Sequence, residues 1–153
     1  FKGVPGRMET VSVRGVRIIN DAYNANPVSM QGALQVLAAL PGARRRIAVL
    51  GDMLELGSRS AQFHRELGRT VAGLPIDYLY VTGEFSSETR DGACAAGMPA
   101  ERIIACPDVE SLAAGLQAAL HEGDAVLVKG SRRVRMERVI ELLQRNNGQS
   151  PIS

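Results

Sequence analysis

The chain has 153 residues, 45% hydrophobic and 22% charged, which suits one soluble globular domain with a real core. A net charge of +2 and the absence of tryptophan argue against a polyanion-binding or base-stacking protein, and no apolar run approaches the roughly 20 residues that span a bilayer. Two cysteines, Cys94 and Cys106, are too few for a disulfide framework; both are expected as buried apolar residues in a reducing, cytoplasmic setting.

The opening Phe1-Lys2-Gly3-Val4-Pro5-Gly6-Arg7 has no initiator methionine, and residues 1–8 read as a linker from a longer protein. The domain proper is expected over 9–146, with a polar frayed tail at 147–153. From Glu9 to Arg14 the residues alternate, Val11 and Val13 facing one way, and Val16 to Ile19 follows Gly15, so an antiparallel hairpin is expected at one edge of a sheet. Asn26 then stands at an N-cap position and Pro27 at the first helical position of a helix over 27–40, striped by Met30, Ala33, Leu34 and Leu37. Beyond Pro41-Gly42, Arg46 to Leu50 is a short, two-sided apolar strand of the parallel-sheet kind. A loop over 51–57, a helix over 59–73, a strand over 77–82, a helix over 86–96 and a strand over 102–106 come next. Asp108 caps a helix over 109–120, Gly123-Asp124 turns into a strand over 125–129, and a last helix covers 134–145. This alternation predicts an α/β fold: a mainly parallel, doubly wound, Rossmann-like sheet with the antiparallel hairpin at its edge. The triple Arg44-Arg45-Arg46 reads as a solvated basic face.

In such a sheet ligands bind beyond the carboxyl ends of the strands, which directs attention to loops 20–27, 51–57, 82–86, 106–108 and 129–132. The G-x-G-x-x-G dinucleotide fingerprint, the Gly-Lys of a P-loop and the G-x-S-x-G nucleophile elbow are all absent. His64 and His121 are far apart, no Cys/His spacing suits a metal, and no metal site is expected; His64 reads as a surface or core-edge histidine. Asp21, Tyr23, Asn24 and Asn26 offer the carboxylate, phenol and amides that a nucleoside needs, at the N-terminus of a helix whose free N–H groups suit an anion. The same residues would also serve an ordinary helix start. Asp52 and Glu55 are either cation- or amine-orienting carboxylates or solvated loop charges. Lys129, one of two lysines, with Ser131 and Arg132, is either a phosphate- or carboxylate-binding set or a solvated strand end.

Taken together, Gly6-Arg7-Met8-Glu9, Asp21-Ala22-Tyr23-Asn24-Ala25-Asn26-Pro27-Val28-Ser29-Met30, Leu50-Gly51-Asp52-Met53-Leu54-Glu55-Leu56-Gly57, His64-Arg65-Glu66-Leu67-Gly68 and Val128-Lys129-Gly130-Ser131-Arg132 with Met136-Glu137 resemble the C-terminal domain of the Mur ligases. The likeness runs from residue 6 to about 144 and is strongest to members that add D-alanyl-D-alanine to a UDP-N-acetylmuramoyl-tripeptide. It implies an ATP- and Mg²⁺-dependent amide ligase of peptidoglycan precursor synthesis, working through an acyl phosphate. Its UDP-sugar and P-loop domains are missing from this chain, so the chain alone would be inactive. It implies a cytoplasmic, monomeric protein whose partners are ATP, D-alanyl-D-alanine and, through the missing domains, the UDP-muramoyl-tripeptide, with no nucleic acid or membrane involved.

Carried over residue by residue, the resemblance assigns Asp21, Tyr23, Asn24 and Asn26 to the nucleotide, and Ser131 and Arg132, with Thr82 and Glu84, to the amine substrate. Lys129, Ser131 and Arg132 are the candidates for a catalytic part, and Arg7 for a hinge. The Asn-Pro-Arg signature of the diaminopimelate-adding relatives is absent after Thr82. A sister Mur ligase or folylpolyglutamate synthase with another amine, and a non-catalytic binding module, are the alternatives.

Overall fold

The computed structural model describes residues 8–145; the linker expected over 1–8 (all but Met8), the hinge residue Arg7 and the tail expected over 147–153 lie outside them. Strands β1 (Glu9–Val13) and β2 (Val16–Asp21) form the expected hairpin, with Val13 opposite Val16. Arg14 and Gly15 turn it at φ 53° and 83°, a left-handed pair whose twist matches that of the strands. Helix α1 (Pro27–Ala39) leads to β3 (Arg46–Leu50), α2 (Ser60–Ala72), β4 (Tyr78–Thr82), α3 (Ser86–Ala95), β5 (Ile103–Cys106), α4 (Val109–Ala119), β6 (Ala125–Lys129) and α5 (Glu137–Arg145).

Among the described residues six strands make one sheet in the order β1-β2-β6-β3-β4-β5, parallel except for β1. The apolar runs of β3 and β6 are buried on both faces, as a parallel sheet requires. On one face Met30, Leu34 and Leu37 of α1, Leu67 and Val71 of α2 and Ala93 of α3 pack on Ala48, Leu50, Leu79 and Leu127. On the other, Leu112 and Leu116 of α4 and Val139, Ile140 and Leu143 of α5 pack on Ile47, Val49, Val126 and Val128. The chain therefore winds both ways from the sheet centre. The connection after β2 leaves toward α1 on one face and that after β6 toward α5 on the other, so these neighbouring strands make a switch point, and a crevice lined by Asn20, Ala22, Tyr23 and Arg132 lies beside their loops.

Helices α2 and α3 touch backbone to backbone. A methyl group at Gly68 would lie 2.0 Å from the Thr89 carbonyl oxygen, and one at Gly92 2.0 Å from that of Arg65. Asp108 caps α4 as the sequence indicates, its carboxylate accepting the Ser111 N–H at 2.7 Å. That bond and the Ser111 hydroxyl hold its carboxyl below the usual range.

Four expectations need correction. Helix α5 begins at Glu137 rather than at 134, because residues 132–134 form a single 3₁₀ turn and Arg135 follows in the left-handed region at φ 59°, which an α-helix excludes. Arg45 and Arg46 are fixed rather than solvated. Arg45 grips Asp124, itself 1% exposed, through two hydrogen bonds of 2.9 and 2.6 Å, and Arg46 donates to the carbonyls of Leu37 and Leu40 at the C-terminus of α1. Cys94 is exposed, since Gly92 and Ala93 take the inward face of α3, and Cys106 is only half-buried at the edge strand β5. His64 lies in the interior, 1% exposed.

Candidate functional site

The loops after β2 and β6 meet. Asp21 and Lys129 are register partners at the ends of the two strands, and the Lys129 Nζ donates to the Asp21 carboxylate at 2.8 Å and to the Asn24 carbonyl at 2.9 Å. Lys129 is 2% exposed, so its charge is desolvated and must be compensated inside the fold; Asp21 and the Asn24 carbonyl do this. The lysine is thus not the solvated strand end that its position also allowed. It ties the 21–24 loop down.

Ser131 is a second tie. Its N–H donates to the Asp52 carbonyl at 2.9 Å, its Oγ accepts the Leu54 N–H at 2.8 Å, and its hydroxyl faces the Ala25 carbonyl at 3.4 Å. It is 7% exposed and joins loops 21–26, 51–57 and 129–132. Arg132 projects outward from it, its guanidinium 5.4 Å above the Tyr23 ring. The two make a cationic, aromatic ledge beside exposed Asn24 and Asn26.

Asn26 caps α1 with a full capping box: its Oδ1 accepts the Ser29 N–H at 2.9 Å, and its own N–H donates to the Ser29 hydroxyl at 3.0 Å. Pro27 has no N–H, and the Met30 N–H goes to the Asn26 carbonyl. Little of the helix's positive end is therefore left for an anion, contrary to the expectation of free N–H groups there. Replacing Asn26 with Ala should lower stability by about 1 kcal/mol, measured as a fall in the urea midpoint at unchanged slope.

Asp52, an open alternative from sequence, is 5% exposed and structural: it accepts the N–H groups of Glu84 and Phe85 at 2.7 and 3.1 Å. Gly83 lets that carboxylate approach. It sits at φ 122°, and a Cβ there would lie 2.5 Å from the Asp52 carboxyl group. Glu55 is solvated, pairing with exposed Arg133 at 3.1 Å. Thr82 is buried and Glu84 exposed. Thr82 and Gly83 line a cleft of about 640 Å³ with Asp108, Glu110, Glu141, Arg135 and Arg138 among others. Arg138 was not singled out in the sequence, because nothing in the spacing signals that it shares a cleft with Thr82.

The family model described as Mur ligase, glutamate ligase domain, matches residues 6–132. The UDP-N-acetylmuramoyl-tripeptide–D-alanyl-D-alanine ligases of Bacillus subtilis and Escherichia coli are 33% and 34% identical to this chain over 136 and 147 residues, 88% and 95% of it. The chain spans only 30% and 31% of their lengths. The crystal structure of MurF ligase from Thermotoga maritima in complex with ADP superposes with a TM-score of 0.79 at 35% identity, covering 97% of this chain and 33% of that one.

Proposed function

The chain belongs to the Mur ligase family, as its glutamate ligase domain, and we propose that it is the nucleotide-covering, amine-delivering part of an ATP-dependent ligase that adds D-alanyl-D-alanine to a UDP-N-acetylmuramoyl-tripeptide. The observation that carries this reading is the joining of loops 21–26 and 129–132 at one crevice by the Lys129–Asp21 pair. That crevice lies outside the carboxyl ends of parallel strands, where a doubly wound sheet takes its ligand.

In this reading Asn24 and Asn26 meet the nucleoside through their amides, and Tyr23 and Arg132 supply a flat cationic surface for the base or a phosphate. ATP supplies the phosphoryl group that activates the tripeptide carboxylate. Thr82, Arg135 and Arg138 line the cleft for the amine substrate. Asp108, Glu110 and Glu141 line the same cleft, Arg138 lying 3.7 Å from both glutamates and Arg135 3.1 Å from Glu137, so its carboxylates suit the amine end of the dipeptide and its arginines the carboxylate end only by exchanging partners. Ser131 and Lys129 hold both regions without touching substrate. Docking of this domain over the remaining ones would exclude water from an acyl donor prone to hydrolysis. Among the described residues no group of three or more His, Cys, Asp or Glu is placed to hold a metal ion. Mg²⁺ in such a ligase would be held largely by the nucleotide's phosphates and water, and no step of this reading passes through it. No helix among the described residues is long and apolar enough to cross a membrane; a cytoplasmic, monomeric enzyme completes the proposal.

The test is a chimera in which this chain replaces the matching segment of the Escherichia coli relative. ADP release should depend on D-alanyl-D-alanine, with at least a hundredfold lower kcat/KM for glutamate or diaminopimelate. Preference for one of those amino acids would place the chain in a sister ligase. Undiminished binding of UDP-muramoyl-tripeptide without ADP release for any amine would favour a binding module.

A further inference from the structure

Residues 51–56 form a loop without regular structure between β3 and the 3₁₀ turn before α2, and Glu55 within it is held at φ 63°, a conformation a glutamate does not choose unaided. Such a segment keeps its shape only through ties from outside. Two of these ties are the ones described above: Asp52 binds the 83–85 turn and the Ser131 N–H, and Leu54 binds the Ser131 hydroxyl oxygen. The residue between them, Met53, gives its N–H to the Nε2 of His64 at 3.0 Å. On the other side of the ring, Nδ1 stands 2.7 Å from the Ser60 carbonyl oxygen, one helical turn back along α2.

These partners define the ring's protonation. An amide N–H needs an acceptor at Nε2, and a carbonyl oxygen needs a donor at Nδ1, so both bonds exist together only in the neutral Nδ1–H tautomer. The ring is 1% exposed and stacks on Phe85 at a centroid distance of 4.7 Å and an interplanar angle of 17°. Phe85 belongs to the turn that Asp52 clamps, and Asp52 Oδ1 lies 3.9 Å from Nε2. One side chain therefore holds the middle of the 52–54 tripeptide by hydrogen bond and the 83–85 turn by ring contact.

We propose that His64 is a positioning residue: through Met53 it sets the loop whose neighbours place Ser131 and the 83–85 turn, and so the separation of the amine cleft from the 129–132 loop. This rests on the ligase reading above, which the first of two experiments separates out. In ¹⁵N-labelled 153-residue chain, His64 should show the shift pattern of a protonated Nδ1 and an unprotonated Nε2. His64→Leu should move the amide signals of Asp52, Leu54, Glu84 and Ser131, while His64→Gln, whose carbonyl oxygen reaches the Nε2 position, should leave them near their original places. A protonated Nε2, or unmoved signals in His64→Leu, overturns the proposal whatever the enzyme's substrate.

In the chimera, His64→Leu should raise the KM for D-alanyl-D-alanine at least tenfold with the KM for the UDP-muramoyl-tripeptide unchanged, and His64→Gln should recover to within about threefold of the parent. Should His64→Leu not fold, His64→Asn, which keeps the donor to Ser60 and loses the acceptor for Met53, takes its place with the same expectation. Equal rises in both KM values, or no recovery with Gln, would make His64 a stability residue only. A parent chimera inactive with every amine would refute the ligase reading and leave the spectroscopic result standing.

Discussion

Lys129→Met should destabilise the domain by about 3 kcal/mol, near the lower end of the cost of breaking a buried ion pair by removing one partner. The lower end applies because Asp21 is 15% exposed at its side chain, and water relieves part of its lost pairing. The methionine fills the lysine's volume, so the loss is electrostatic and not a cavity. Asp21→Asn should cost at least as much, since it leaves the more deeply buried member, the ammonium, without a counter-charge. Combining Lys129→Met with Asp21→Asn should then be less damaging than the sum of the two. Denaturant titration of the four proteins reads this coupling, and strict additivity would mean that the pair contributes nothing as a pair. In the chimera, Lys129→Met should lower kcat/KM at least a hundredfold even where the protein is fully folded, because the 21–26 loop loses its tether.

Gly68→Ala should destabilise by about 3 kcal/mol or more, in the upper range of overpacking effects. Intrinsic helix preference points the other way, favouring Ala over Gly by about 1 kcal/mol in a helix interior. The contact decides the sign. The new methyl would lie 2.0 Å from the Thr89 carbonyl oxygen and 2.7 Å from the Ala93 nitrogen, and both are backbone atoms that no rotamer change can move aside. Helices α2 and α3 would have to separate, uncovering Leu67, Val71 and Ala93. For a domain of this size the midpoint of thermal unfolding should fall by about 6–12 °C. Gly92→Ala should behave alike, whereas Gly115→Ala in α4, with open space around its Cβ position, should be neutral or stabilising.

Where a feature rests on neighbours in the chain, it was legible in advance. The period-two and helical patterns placed each strand and helix to within a few residues, and Asn26 and Asp108 announced themselves as caps because a cap is a local event. Features depending on distant partners were not. Arg45 finds Asp124 across 79 residues and Lys129 finds Asp21 across 108, so a basic triple looked solvated and a buried lysine looked like a ligand. His64 was misplaced for another reason: its partners are backbone groups, which carry no residue signature. The late start of α5 hangs on one left-handed residue, Arg135, of a type that rarely adopts that conformation. In the candidate site the strand-end loops were legible from the alternation of elements, but the internal bonds of Ser131 and Lys129 and the place of Arg138 beside Thr82 were not, since they depend on residues far along the chain.

Among the described strands β6 is the last to be made and the third in the sheet, lying between β2 and β3. While the polypeptide emerges from the ribosome, those two earlier strands have no shared neighbour and face each other across an empty slot with unpaired peptide groups. Closing it requires contacts more than a hundred residues apart, which are slow to form. A chain ending just short of residue 125 should therefore be prone to self-association and engage chaperones, whereas one extended through β6 and α5 should be a protease-resistant body.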